Sequence, residues 1–248
     1  MDGHRSNKKA KVSLALLATF GIAMALLEAA VVVYMRRLYY PENPLELFPL
    51  RFLNHYDPPL ELSREVATIA MILTVAFLAE RRTPARTFAA FVFVFGAWDL
   101  FYYVWLKVLM GWPQDWLEWD VLFLIPTVWL GPWICPAAIA LLFVLWGGHV
   151  VWHDLSPRLS GVSLATFMIG AALGLVTFMQ PAWFHPFETL AEYTPQTFWW
   201  WLFLPSYLLM CIGLAMSIRA PSSSGSASLA VSTSDTHGER VMSEESVQ

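Results

Sequence analysis

The chain has 248 residues, 57% of them apolar and only 14% charged, with a net charge of −4. A soluble domain carries roughly 25% charged residues, so these side chains cannot cover a water-soluble globule of this size, and the mean hydropathy of +0.53 points to a membrane protein. The charge excludes a basic nucleic-acid surface, and Cys135 and Cys211, both inside apolar runs, read as free thiols rather than a disulfide scaffold or a cysteine-rich zinc site.

Apolar runs matching a bilayer span of roughly 17–25 residues predict an all-α membrane protein, a bundle of about six transmembrane helices within residues 1–219. The first span, 12–34, follows Arg5, Lys8, Lys9 and Lys11. Its run exceeds the h-region of a signal peptide, about 7–15 residues, so it reads as a retained anchor despite a cleavage-like Ala23-Met24-Ala25. A polar, proline-containing loop over 35–60 leads to the second span, 61–79. From Val66 to Ala79 that span has only fourteen uncharged residues, so to cross it must take Arg64 and Glu65 into the bilayer. The third span is 87–109.

The fourth span, 120–146, carries Pro126, Gly131, Pro132 and Pro136 in its first half. Each proline removes a backbone donor, so its outer half is expected to be broken or re-entrant, the alternative being a kinked helix packed by its neighbours. The fifth span, 159–179, contains Gly170 and Gly174, a spacing suited to close helix contact. The sixth is 198–218, and the Ser-rich, acidic residues 220–248 read as a disordered cytoplasmic tail.

A cytoplasmic N-terminus places Arg5, Lys8, Lys9, Lys11, Arg81, Arg82, Arg86, Arg158, Arg219 and Arg240 inside, ten of the fifteen lysines and arginines. Arg36, Arg37, Arg51, Arg64 and Lys107 are the exceptions. The positive-inside rule then puts both termini in the cytoplasm, and tryptophans such as Trp112, Trp116, Trp119 and Trp199 gather at the outer helix ends, as an interfacial belt does.

Helical rise converts position into depth. At about 1.5 Å per residue, Glu28 lies about 25 Å above Lys11, Glu65 about 22 Å above Glu80, and Asp99 about 20 Å above Arg86. Three carboxylates from three helices thus fall in the outer third of the bilayer, with Lys107 and Asp120 at its edge. Charges at such depth turn inward and find partners. Arg64 projects about 100° from Glu65 and is expected to serve another helix's carboxylate. Asp99, Tyr103 and Lys107 share one face at i, i+4 and i+8, with Tyr102 beside them, and Arg36 follows Glu28 on roughly the same face. The candidate polar cluster is therefore Glu28, Arg64, Glu65, Asp99, Tyr103, Lys107 and Asp120. It reads either as a satisfied network holding the helices together or as a functional site. Several unmatched carboxylates would favour proton or metal use, and full pairing with Arg64, Arg36 and Lys107 would favour a structural role or an anionic ligand.

His149 and His153, at i and i+4, have a spacing able to meet a metal or a haem. Without a second such pair they read as interfacial histidines. His55 and His185 sit in outer loops, where they could join Glu65 or Asp120 at a metal. No nucleotide-binding loop, HExxH, GxSxG or CxxC is present, and no cofactor is predicted.

The segments EAAVVVY (28–34), REVAT (64–68), WDLFYYVWLK (98–107), WDVLFLIP (119–126) and WLGP (129–132) together resemble a group of uncharacterised bacterial multi-pass membrane proteins. The likeness spans roughly residues 25–140. It implies membrane class, a bacterial origin and hence the inner membrane, and carries no catalytic role. Three uses of the cluster follow: a structural or ligand-binding membrane component, partnered by the bilayer and by a small amphiphile or another membrane subunit; an intramembrane enzyme acting on a lipid or quinone-like substrate at the periplasmic face; or a proton- or cation-coupled carrier.

Overall fold

The computed structural model describes residues 2–50, 57–158, 160–183, 194 and 197–218. The tail over 220–248, His55 and His185 lie outside the described residues. Helices α1 (Asp2–Tyr39), α2 (Asp57–Ala79) and α3 (Pro84–Met110) lead to a short antiparallel hairpin, β1 (Trp119–Phe123) and β2 (Trp129–Pro132). Helices α4 (Ile134–Trp152), α5 (Gly161–Trp183) and α6 (Trp200–Ser217) complete the bundle. All six helices are long and apolar enough to cross a membrane. Their outward faces carry exposed Leu16, Leu27, Val108, Leu145 and Trp201. In water such surface would drive aggregation, whereas in lipid it faces its own kind.

α3 is the central helix, packed against α1, α2 and α4. Its start follows from local chemistry: the Thr83 side chain accepts from the Arg86 N–H, and Pro84 stands in the first turn, where a missing donor costs nothing. Its end is Gly111, whose φ of 80° lies in the left-handed region that glycine enters without penalty. Leu17, Ala25, Ile72, Ala76, Phe93 and Trp98 form the core shared by α1, α2 and α3.

Close approach of α3 and α4 depends on two glycines. A Cβ at Gly96 would lie 2.4 Å from the Ala140 carbonyl oxygen, and one at Gly147 would lie 2.5 Å from that of Ala89. The opposing atoms are backbone and cannot swing aside, as small-residue interfaces between membrane helices require. Gly147→Val is therefore expected to lose at least about 1–3 kcal/mol through overpacking, read as a lower melting temperature in detergent. Gly170 and Gly174 both pack against Ser206 of α6, Gly170 with a Cβ position 2.7 Å from its carbonyl oxygen.

The predicted fourth helix over 120–146 requires correction. Residues 119–132 form the hairpin, and the helix begins only at Ile134 and runs on to Trp152. Pro126 lies in the connection between the strands and Pro132 ends β2, positions that need no helical donor. Pro136 falls in the first turn of α4, where N–H groups have no helical acceptor. The hairpin register pairs Asp120 with Gly131 and Val121 with Leu130. Gly131 lies against Phe178 of α5, and Val128 and Leu130 are buried. Such non-helical backbone is tolerated at membrane depth where protein covers it.

Where α2 turns into α3, a compact ionic cluster joins them to the end of α4. The guanidinium of buried Arg86 donates to both carboxylate oxygens of Glu80, at 2.7 and 3.0 Å, and to the Leu155 carbonyl oxygen. It also lies 2.8 Å from Asp154, which Arg82 reaches at 2.6 Å. Burial alone would raise the Glu80 carboxyl, but hydrogen bonds from Arg86 and Arg82 outweigh it and hold the group below its ordinary value.

Candidate functional site

Further along α3, about 20 Å from Arg86 by helical rise, three helices and the hairpin converge on a cavity. Each helix contributes a stripe set by its own periodicity. α1 supplies Glu28, Val32 and Arg36; α2 supplies Glu61, Arg64, Glu65 and Thr68; α3 supplies Trp98, Asp99, Tyr102 and Tyr103. The hairpin adds Asp120, Val121, Leu122, Phe123 and Leu124, and the loop after α1 adds Leu47 and Leu50. The space between them is about 1140 Å³, open mouth included. Tyr40 fixes that loop by donating from its hydroxyl to the carbonyl oxygens of Leu47, at 2.7 Å, and Pro49, at 3.0 Å.

Six of the seven predicted cluster residues line this cavity: Glu28, Arg64, Glu65, Asp99, Tyr103 and Asp120. The seventh, Lys107, does not. Its ammonium donates to the carbonyl oxygens of Gly111, at 3.2 Å, and Pro113, at 2.6 Å, so it closes the end of α3.

The pairings are specific. Arg64 makes an ion pair with Glu28 of α1 and donates from Nε and Nη2 to Glu61 Oε2, at 2.9 and 2.6 Å. Arg36 is paired with Asp120 of the hairpin, Nη2 to Oδ1 at 3.1 Å, rather than with Glu28 on its own helix. This follows from α1 running to Tyr39, five residues past the predicted span, which carries Arg36 alongside β1. Its guanidinium also lies over the Trp112 ring, 4.1 Å from the centroid. Glu65 accepts the Leu124 N–H with both oxygens, at 3.0 and 2.9 Å, and so holds the hairpin to α2.

Among the described residues, several groups of the cavity wall keep polar atoms without a hydrogen-bond partner, Trp98 Nε1 among them. Arg36 Nε and Nη1 and Asp120 Oδ2 are buried without a hydrogen-bond partner among the described residues. Asp99, half-buried in the cavity wall, has no ion-pair or hydrogen-bond partner among them. Burial pushes the Asp120 carboxyl up to about 6, with Arg36 beside it limiting the rise. Glu61 and Thr68 fell outside the predicted cluster, although their spacing from Arg64 and Glu65 on α2 places all four on one face.

The rings of His149 and His153 lie in contact, centroids 4.5 Å apart and tilted by 53°. Among the described residues no group of three or more His, Cys, Asp or Glu side chains is placed to hold a metal. Cys135 and Cys211 are free thiols. No family model matches the chain, and neither a curated protein nor a solved structure matches it.

Proposed function

We propose that this integral membrane protein is a ligand-binding component whose cavity between α1, α2, α3 and the hairpin receives a small amphiphile from the outer leaflet. One observation carries this reading: polar side chains from three helices meet in a single space that also has apolar walls, among them Val32, Leu47, Leu50 and Leu122. A network serving only to join helices would fill its own hydrogen bonds. Here Arg64, Glu28, Glu61 and Glu65 are engaged, while Arg36, Asp120 and Asp99 keep unused capacity. The distribution of lysine and arginine supports cytoplasmic termini and an outward-facing cavity, and the resemblance supports a bacterial inner membrane.

A second reading, an intramembrane enzyme, is favoured by Asp99 in particular. A carboxyl with no internal partner, facing bound ligand, is free to act as general acid or base.

The test is native mass spectrometry of the full chain extracted in a mild detergent. The wild type is expected to retain an amphiphile of defined mass. Val32→Trp, which puts a large ring into the cavity, is expected to lose it while still unfolding in one cooperative melting transition. A wild type that carries no amphiphile, or a filled variant that keeps it, defeats the proposal.

A further inference from the structure

We propose that the amphiphile is a lipid with a zwitterionic headgroup, its oxyanion held by Arg36 and its primary ammonium by Asp99 and Asp120; this rests on the ligand-binding reading above. The inference comes from what the internal pairings leave over. Arg36 is 3% exposed, yet only one of its three nitrogens meets an acceptor. Trp112 lies against the guanidinium face and Asp120 takes Nη2, so the side chain is fixed with Nε and Nη1 still to be filled. A planar fork of this kind matches the oxygens of a phosphate or carboxylate.

The acidic side has the complementary excess. Five carboxyl groups line the cavity against two guanidinium groups. Arg64 engages Glu28 and Glu61, and the Leu124 N–H occupies Glu65. Asp120 Oδ2 and the Asp99 carboxyl remain without a hydrogen-bond partner among the described residues, beside the half-buried ring of Tyr102, whose face is negative toward a cation. A purely anionic headgroup would satisfy Arg36 and leave those carboxyls facing it. A purely cationic one would leave Arg36 open. One headgroup bearing both charges answers both, and the apolar walls accept the start of its acyl chains. A primary ammonium donates hydrogen bonds to carboxylates, whereas a quaternary one cannot.

The experiment uses the full chain in maltoside detergent, titrated with phosphatidylethanolamine, phosphatidylcholine and phosphatidylglycerol of identical short acyl chains, and separately with O-phosphoethanolamine. Phosphatidylethanolamine is expected to bind about tenfold more tightly than the other two lipids, the order of effect of one charge-assisted hydrogen bond. Asp99→Asn removes no internal partner and should fold normally. It is expected to erase the preference by weakening phosphatidylethanolamine binding while phosphatidylglycerol binding does not fall. Equal affinity for the three lipids, or a preference that survives Asp99→Asn, overturns the headgroup assignment while leaving the amphiphile reading in place. If no lipid binds at all, the amphiphile reading itself fails. Binding of O-phosphoethanolamine as tight as that of the lipid makes the occupant a water-soluble zwitterion and overturns the assignment to a lipid.

Discussion

Arg36→Met is expected to destabilise the protein by about 3–5 kcal/mol at pH 8, the cost of leaving one member of a buried ion pair without its partner. Asp120 is 2% exposed, so its carboxylate cannot recover solvation from water once Arg36 is gone. The cost should be smaller at pH 5. Burial already raises the folded-state carboxyl from 3.8 to about 6, so the native protein binds this proton more tightly than the unfolded chain does. Stability from this group is then fully present below the ordinary value and declines as pH rises through about 6. Without Arg36 the carboxyl moves further up, and the decline continues above pH 6. Melting in detergent at pH 5 and pH 8 measures the difference. Arg36→Met combined with Asp120→Asn should recover much of the loss at pH 8, because no buried charge is then left unpaired. A single-variant cost that does not change with pH would show that the ion pair is not its source.

The helices were legible because the bilayer imposes one requirement on all of them, an unbroken apolar run of sufficient length. The hairpin was not. Residues 119–133 are as apolar as a helical span, and neither period is strong enough there to separate a buried strand from a buried helix. Pro126, Gly131 and Pro132 did mark the trouble. As turn and strand-end signals rather than helix breaks they describe what the structure contains.

Much of the cavity was legible for the same physical reason. Depth along a helix follows from a fixed rise, so Glu28, Glu65 and Asp99 could be placed at one level without a fold. Partners were harder. Lys107 shares a face with Asp99 and Tyr103, but its long stem reaches past the end of α3 to backbone carbonyls, and spacing alone does not report that. Arg36 found Asp120 only because α1 runs on and the hairpin folds back, two departures from the predicted boundaries. Long-range pairs of this kind depend on topology, whereas stripes on one helix depend on period.

The Arg86 cluster supplies the internal comparison that gives the open groups of the cavity their meaning. Arg86 is as buried as Arg36, yet each of its nitrogens has an acceptor among Glu80, Asp154 and the Leu155 carbonyl. A closed arrangement of this kind holds the α2–α3 turn to the end of α4 and has no capacity left for a ligand. Arg86→Met should therefore act on stability alone, costing about 3–5 kcal/mol with no change in amphiphile binding by the protein that remains folded. Arg86→Lys should rescue little, since a single ammonium cannot reproduce the fork. The pH dependence is opposite in sign to that of Asp120. The Glu80 carboxyl lies below its ordinary 4.5, so its contribution is present above that pH and is lost as pH falls through the folded value. Wild-type melting temperature should drop on acidification below about 4.5, the ordinary glutamate range, and the drop should be shallower in Arg86→Met, where the two hydrogen bonds from Arg86 are gone and only that from Arg82 still lowers the carboxyl. An acid profile unchanged by the substitution would detach Glu80 from Arg86. Altered amphiphile binding in the folded fraction would mean that the two clusters are coupled along α3.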